Sequence, residues 1–552
     1  MALKTTYCRL YVLITLGSML LLIAVYHAVN IYQQMPATIL AEPRTTFEVH
    51  NLNAVLEPYW NSTNGELGSM NVTDASRTLL TPISNLTVIH YGDVIKLRLD
   101  AKDINGRQRV HGGDFWKALL TNKNNGKCSV PGHVEDLGNG TYFVTFVAKC
   151  AGQSTIAIAL THTREAVRFL EREFLPLEDK TAWKGYFGTG AKSSHTMCVL
   201  HREGTWENKC EYRYKTGLGR SLLLCDKPPK QSCASLHHLV AAFPSQKAVD
   251  VASKQKALFE RGPVRVAGTP MKIHIRDADQ STSIDQIPQC SSKSVEKTFH
   301  GHWFNGSWHP TNCKTQTLDI KKMKSCLRSK NIYLFGDSTL RQWFVDFCDV
   351  LKINATTIKW DTQYSNVERK EGKYTGKIRG YAIQEPNITV NFFFQSLAVT
   401  RSKYRLEDFT FPGDIIDDLV DCNHLIVVSP WAHYTFWTQE AFSEKLYYIK
   451  MALFRFKQRC PDSVVAVKGA HVREQSSWQY RIYNSDWLLH HLNLQLKETF
   501  DEEWIMFYDS WDLNLSYPGK IYIHMSPDVI REEIRLYLSY ICPAELENVR
   551  TI

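Results

Sequence analysis

No CxxC pair occurs among the 14 cysteines of this 552-residue chain, so paired-cysteine redox and zinc motifs find no footing. No basic run is long enough to serve as a nucleic-acid arm. The 65 Lys and Arg against 56 Asp and Glu leave a net charge of +9, a mild preference for anionic surfaces or glycans. A hydrophobic content of 44% excludes a disordered chain and supports several cores, with two to four domains expected.

What is present begins at the N-terminus. Leu10 to Val29 contains no charged residue apart from a neutral His27, and a helix of that length spans the roughly 30 Å of a bilayer core. Lys4 and Arg9 precede it, and basic residues stay cytosolic. The segment is therefore expected to be a signal-anchor in the membrane, making a single-pass type II protein of the Golgi or cell surface. A secreted, cleaved form is the alternative, although Tyr26, His27 and Asn30 make a poor cleavage site. Asn-X-Ser/Thr acceptors for glycosylation at Asn61, Asn71, Asn85, Asn139, Asn305, Asn354, Asn387 and Asn514 point to the secretory pathway. Once Cys8 is set apart, 13 cysteines remain, which predicts disulfides plus one unpaired thiol. His300, His302 and Cys313 have no zinc-like spacing and disulfide chemistry competes for the cysteine, so no metal is assigned.

Composition divides the chain into five stretches: a cytosolic tail and signal-anchor (1–30), a stem (31–79), an all-β segment (80–165), a cysteine-rich continuation (166–295) and an α/β region (296–552). In the all-β segment Ile95, Leu97 and Leu99 alternate, as do Tyr142, Val144 and Phe146, which predicts strands; the stretch VEDLGNGTYFVTFVAKCAGQSTIAIAL resembles filamin-type immunoglobulin-like repeats, which implies an immunoglobulin-like β-sandwich. In the last region apolar runs at Val390–Phe394, His424–Ser429, Val464–Val467 and Trp504–Tyr508 are separated by helical stretches, notably Gln439 to Arg459 and Trp487 to Phe500. That alternation predicts a three-layer fold with a parallel sheet, whose sites gather at the strand carboxyl ends.

The stretch Asn331 to Phe344, NIYLFGDSTLRQWF, reads as strand, sharp turn and helix, with Leu340, Phe344, Phe347 and Leu351 at helical spacing. A serine at that turn, Ser338, is either a simple helix cap or a nucleophile facing the unpaired amides of a helix start. A partner stands near the chain end: Ser526 and Pro527 open a last helix, and His524 lies on the loop ahead of it.

The motifs GHWFNGSWHPTNC, LFGDSTLRQW, HLIVVSPWAHY and IHMSPDVI resemble the PC-esterase branch of the SGNH, or GDS-type, hydrolases. Together with VEDLGNGTYFVTFVAKCAGQSTIAIAL, which resembles filamin-type repeats and neurexophilin, they make residues 60 to 552 similar to the NXPE family (neurexophilin and PC-esterase domain containing). The resemblance implies Ser338 as acyl-accepting nucleophile and His524 as general base. It implies transfer or removal of an O-acyl, usually acetyl, group on a glycan or glycoprotein, with acetyl-CoA as donor for a transferase. Arg341 then contacts the oxyanion or a substrate carboxylate, with a surface ion pair as the alternative, and His433 in WAHY matches a similar histidine of the family, with a packing role as the alternative. The family's orienting aspartate, three residues before the histidine, is Ile521 here. In the serine-protease template loss of that role costs on the order of 10⁴-fold; Asp509 or Asp512 is the candidate replacement. The alternative is a weak or inactive member acting as a neurexophilin-like extracellular binding or adhesion protein with a protein partner.

Overall fold

The structure, a computed structural model, describes residues 72–542 except 126, 190–192, 202–205, 214–221, 243, 278–286, 292–299, 317–318, 355–356, 364–375, 385–386, 396, 398–402 and 407–410. The membrane helix expected at residues 10–29 lies outside the described residues. Among those described, no helix is long and apolar enough to cross a membrane. Nothing among the described residues therefore supports the signal-anchor, the membrane as a partner or the single-pass type II placement, and these readings are withdrawn.

The alternation of apolar residues in the all-β segment does produce strands with one buried face, Ile95, Leu97 and Leu99 being almost fully covered. The immunoglobulin-like sandwich closed within residues 80–165 is corrected, however. Cys128–Asp136 runs beside Phe115–Asn122 through residues 128–132 and beside Thr141–Val147 through residues 133–136. One hydrogen-bonded path therefore continues where two separate sheets were expected, as happens when a strand switches sheets at a corner. The path is extended by Met271–Arg276 on Gly152–His162 and by Gly301–Phe304 on Cys128–Asp136. The cysteine-rich stretch supplies most of a second, antiparallel sheet, whose edge strand Leu236–Ala242 is covered by Lys403–Arg405 from the C-terminal region.

Six disulfides form: Cys128–Cys150, Cys198–Cys225, Cys210–Cys233, Cys290–Cys313, Cys326–Cys542 and Cys422–Cys460. Cys348 is the free thiol among the described residues; it is buried, and burial pushes its pKa up to about 12.

The third sheet carries the candidate site. Its strands are β1 (Asn331–Gly336), β2 (Lys359–Gln363), β3 (Gly376–Gln384), β4 (Ile388–Phe394), β5 (His424–Ser429), β6 (Val464–Lys468) and β7 (Ile505–Tyr508). They lie in the order β2-β3-β4-β1-β5-β6-β7. From β4 to β7 neighbours are parallel, but β2 and β3 pair antiparallel at one edge, so the expected parallel sheet is a mixed one. Alternate residues serve two cores. Phe335, Ile426, Val428, Val465 and Val467 pack with α2 (Gln439–Arg459) and α3 (Asp486–Thr499). Ile332, Leu334, Val390, Leu425 and Val427 pack with α1 (Ser338–Val350) and α5 (Pro527–Ile541). The first of these cores also takes Trp183, Phe187 and Leu239 from the antiparallel sheet. All six residues of β5 are buried, which is why its middle reads as the apolar run Leu425–Val428.

Candidate active site

The apolar strand β1 ends at Gly336, and Asp337 caps α1: its Oδ1 accepts from the Thr339 amide and hydroxyl, both at 2.7 Å. The other oxygen, Oδ2, accepts from the Ala432 amide at 3.0 Å, tying the loop after β5 to the serine turn. Asp337 is fully buried, so its charge-assisted bonds fix both loops. Ser338 occupies the first position of α1. The first backbone bond of the helix is the later Arg341 amide on Asp337 O, which leaves earlier amides of the turn outside the helical ladder.

From the opposite side, the loop before α5 brings in His524, whose Nε2 lies 2.7 Å from Ser338 Oγ. Two side chains grip that loop. Glu474, beyond the end of β6, accepts from the Ile523 amide through Oε2 at 2.7 Å. Gln342, on α1, donates from Nε2 to Met525 O at 2.7 Å. Partial burial holds the His524 pKa below the ordinary histidine value; Asp337 and Glu474 pull it up, while Arg341 and Arg473 push it down. At neutral pH His524 is thus an uncharged imidazole able to take the serine proton.

Around this pair stand groups from the carboxyl ends of three neighbouring strands. Beyond β5, His433 is held neutral by burial, and its Nε2 meets no hydrogen-bond partner among the described residues. Beyond β4, Gln395 is buried with its amide nitrogen and oxygen both unmatched among the described residues, while its backbone amide bonds Gly336 O. Beyond β6, Arg473 stacks on Tyr480 with its guanidinium carbon 4.4 Å from the ring centroid and donates to Glu474 Oε1 at 2.8 Å. Arg341 lies over Phe394 at 6.0 Å, and its charge reaches both His433 and His524.

The two aspartates offered as replacement acids have other commitments. Asp509 Oδ1 accepts from Asn493 and the Trp511 amide, and Asp512 Oδ2 is 2.6 Å from His300 Nδ1. Ile521 packs against the apolar core that contains Met525. The carboxylates whose charge acts on His524 are instead Asp337 and Glu474. Glu474 stands 50 residues before the histidine, with no local signal; only its place beyond the apolar strand VVAV hinted at the right rim.

Of the glycosylation acceptors, Asn61 and Asn71 lie outside the described residues, and Asn85, Asn139, Asn305, Asn354 and Asn387 are exposed. Asn514 is withdrawn: it is fully buried, and its Nδ2 donates to Ser510 O and Glu533 Oε1. Cys313 is in a disulfide, so it does not join His300 as a ligand.

A family profile described as "NXPE family member 4-like, C-terminal domain" matches residues 308–542, and one described as "Neurexophilin" matches residues 66–256. Among solved structures, the Escherichia coli adhesin FdeC is 13% identical, with coverage of 38% of this chain and 66% of the adhesin and a TM-score of 0.14. Invasin, a bacterial integrin-binding protein, is 10% identical, with coverage of 59% of this chain and 60% of its own and a TM-score of 0.14. In each case less than two thirds of the solved chain is spanned, and at such a TM-score no common fold follows.

Proposed function

Because the chain belongs to the NXPE family, we propose that its C-terminal region moves an O-acyl group to or from a carbohydrate hydroxyl through an acyl-Ser338 intermediate. The observation that supports this most is the 2.7 Å between His524 Nε2 and Ser338 Oγ. As Oγ attacks the acyl carbonyl, His524 takes its proton; the oxyanion forms at the start of α1, where ladder-free amides are the donors. Gln395 is the candidate side-chain donor beside them. Collapse expels the alcohol or thiol of the donor, which leaves with the proton from His524. A second hydroxyl then loses its proton to His524, attacks the acyl-serine and regenerates Ser338. With water as acceptor the reaction is ester hydrolysis; with a sugar hydroxyl and a donor such as acetyl-CoA it is transfer. Glu474 takes the place of the missing aspartate by charge and by holding the loop backbone, so it is a positioning residue.

A second reading is favoured by two observations: Ile521 at the orienting position and the neurexophilin match over residues 66–256. In it the protein is an extracellular binding or adhesion partner and the serine turn is scaffold. One experiment separates them. A fluorophosphonate probe is expected to label the wild-type chain and leave Ser338→Ala unlabelled. Absence of labelling on folded wild-type protein, or equal labelling of the variant, refutes the acyl-serine route and leaves the binding reading.

A further inference from the structure

A cleft of about 420 Å³, with neither Ser338 nor His524 in its wall, lies between the strand Cys128–Asp136 and the short helix α4 (Trp511–Leu515) that follows β7; Trp511, His490 and Lys497 are part of its wall. On its rim stand His133, His300 and Asp512, whose nitrogen and oxygen ligand atoms all lie within 4.8 Å of one another. We propose that these three side chains form a binding site for a zinc-class divalent cation, with the remaining coordination position facing the cleft.

The argument is geometric. Two imidazoles converge on one oxygen: Asp512 Oδ2 is 2.6 Å from His300 Nδ1 and 3.8 Å from His133 Nε2. A simple ion pair needs only one of them. The two rings meet edge to face at 4.4 Å between centroids, so their nitrogens share one small space. Metal–ligand bonds of about 2.0–2.1 Å in a tetrahedron put neighbouring ligand atoms roughly 3.3 Å apart, which the 2.6 Å and 3.8 Å separations bracket. The third separation, between the two imidazoles, is within 4.8 Å, so the rings would close on the ion by up to about 1.5 Å.

The supports of the three ligands are already locked together. Trp303, on the strand that begins next to His300, pairs with Ser129 of the His133 strand, and its Nε1 donates to Leu513 O, next to Asp512, at 2.8 Å. His133 is exposed, so an ion can reach it from solvent. Lys117 and Lys497 oppose a cation here, but Lys117 is paired with Asp486, and Asp114, Asp136, Asp509 and Asp512 bring four carboxylates to the same cleft. Two imidazoles and a carboxylate suit zinc-like ions better than magnesium or calcium, which take oxygen ligands. Spread over positions 133, 300 and 512, the set has no spacing a sequence motif would reveal.

Zinc chloride titrated by calorimetry into the chelator-stripped full-length chain is expected to bind with one saturable equivalent lost in His133→Ala. Asp512→Asn should weaken that equivalent at least tenfold, and cobalt in its place should give the visible bands of a four-coordinate ion. His133→Asn is a second variant should alanine destabilise the strand, and His302→Ala is expected to bind as wild type. No saturable zinc, or unchanged affinity in folded His133→Ala and His133→Asn, overturns the proposal; so does calcium or magnesium binding in preference to zinc.

Discussion

Replacing Glu533 by alanine should destabilise the protein more than most single changes and should do so through one buried cluster. Glu533 is 1% exposed, as is Lys468, and the two are 3.5 Å apart. Its Oε2 accepts from Trp343 Nε1 at 2.6 Å and its Oε1 from Asn514 Nδ2 at 2.9 Å. Lys468 has one further hydrogen-bond acceptor among the described residues, Ser510 Oγ at 3.3 Å, and its Nζ lies 5.9 Å from the Trp343 ring centroid. The alanine variant therefore leaves a buried ammonium with a single neutral acceptor, strips the acceptor from Trp343 Nε1 and leaves Asn514 Nδ2 only Ser510 O. Breaking a buried pair on one side costs about 3–5 kcal/mol, of which the abandoned charge is the main part; about 4 kcal/mol is close to a thousandfold in the folding equilibrium. Equilibrium urea denaturation followed by tryptophan fluorescence measures it. Removing both charges, as Lys468→Met with Glu533→Leu, should recover much of the loss, since no orphaned ion remains. Trp343 sits on α1 and Glu533 on α5, so the same variant should also slow fluorophosphonate labelling of Ser338 by loosening the two helices that present the serine and the histidine. A loss below about 0.5 kcal/mol, the size of an ordinary surface change, would refute the reasoning.

Two further outcomes test the site and the core. Labelling of Ser338 needs neutral His524, whose pKa lies below the ordinary 6.5; it should therefore rise with pH through a half-point below that value and be flat at neutral pH. Glu474 raises that pKa, so Glu474→Gln should move the half-point further down; it should also slow labelling about tenfold, since a hydrogen bond to a charged acceptor contributes about 1.5–3 kcal/mol, and an upward movement would contradict the assignment. Cys348, buried and with its thiol pushed up to about 12, should resist iodoacetamide in the native protein and react once urea unfolds the chain, as peptide mapping by mass spectrometry would register; native-state modification would refute it.

Local chemistry was legible in the sequence where it was continuous along the chain. The apolar run before Gly336 and the helical spacing after Ser338 specify a strand and a helix by themselves, and Ser526-Pro527 marks a helix start. The runs around Val390, Leu425, Val465 and Met506 are strands for the same reason. What depended on distant partners was not legible. Glu474 and Gln342 act on the His524 loop from 50 and 182 residues away in sequence, and neither type of side chain stands out among other polar residues. Asn514 matched an exposed glycosylation pattern, yet the pattern says nothing of the buried carboxylate that claims its amide. The immunoglobulin-like closure failed because alternation specifies a strand with two unlike faces, not which neighbour it joins; Cys128–Asp136 joins different neighbours along its length.

The late strands that complete earlier sheets bear on how this protein is to be handled. Lys403–Arg405 lies along Leu236–Ala242, and Gly301–Phe304 along Cys128–Asp136. A recombinant fragment cut at about residue 295 would be released with two raw rows of amides and carbonyls, the template on which chains stick to one another. Apparent adhesion by such a piece would first have to be distinguished from self-association, and ligand screens are better run on the whole polypeptide with single side chains changed.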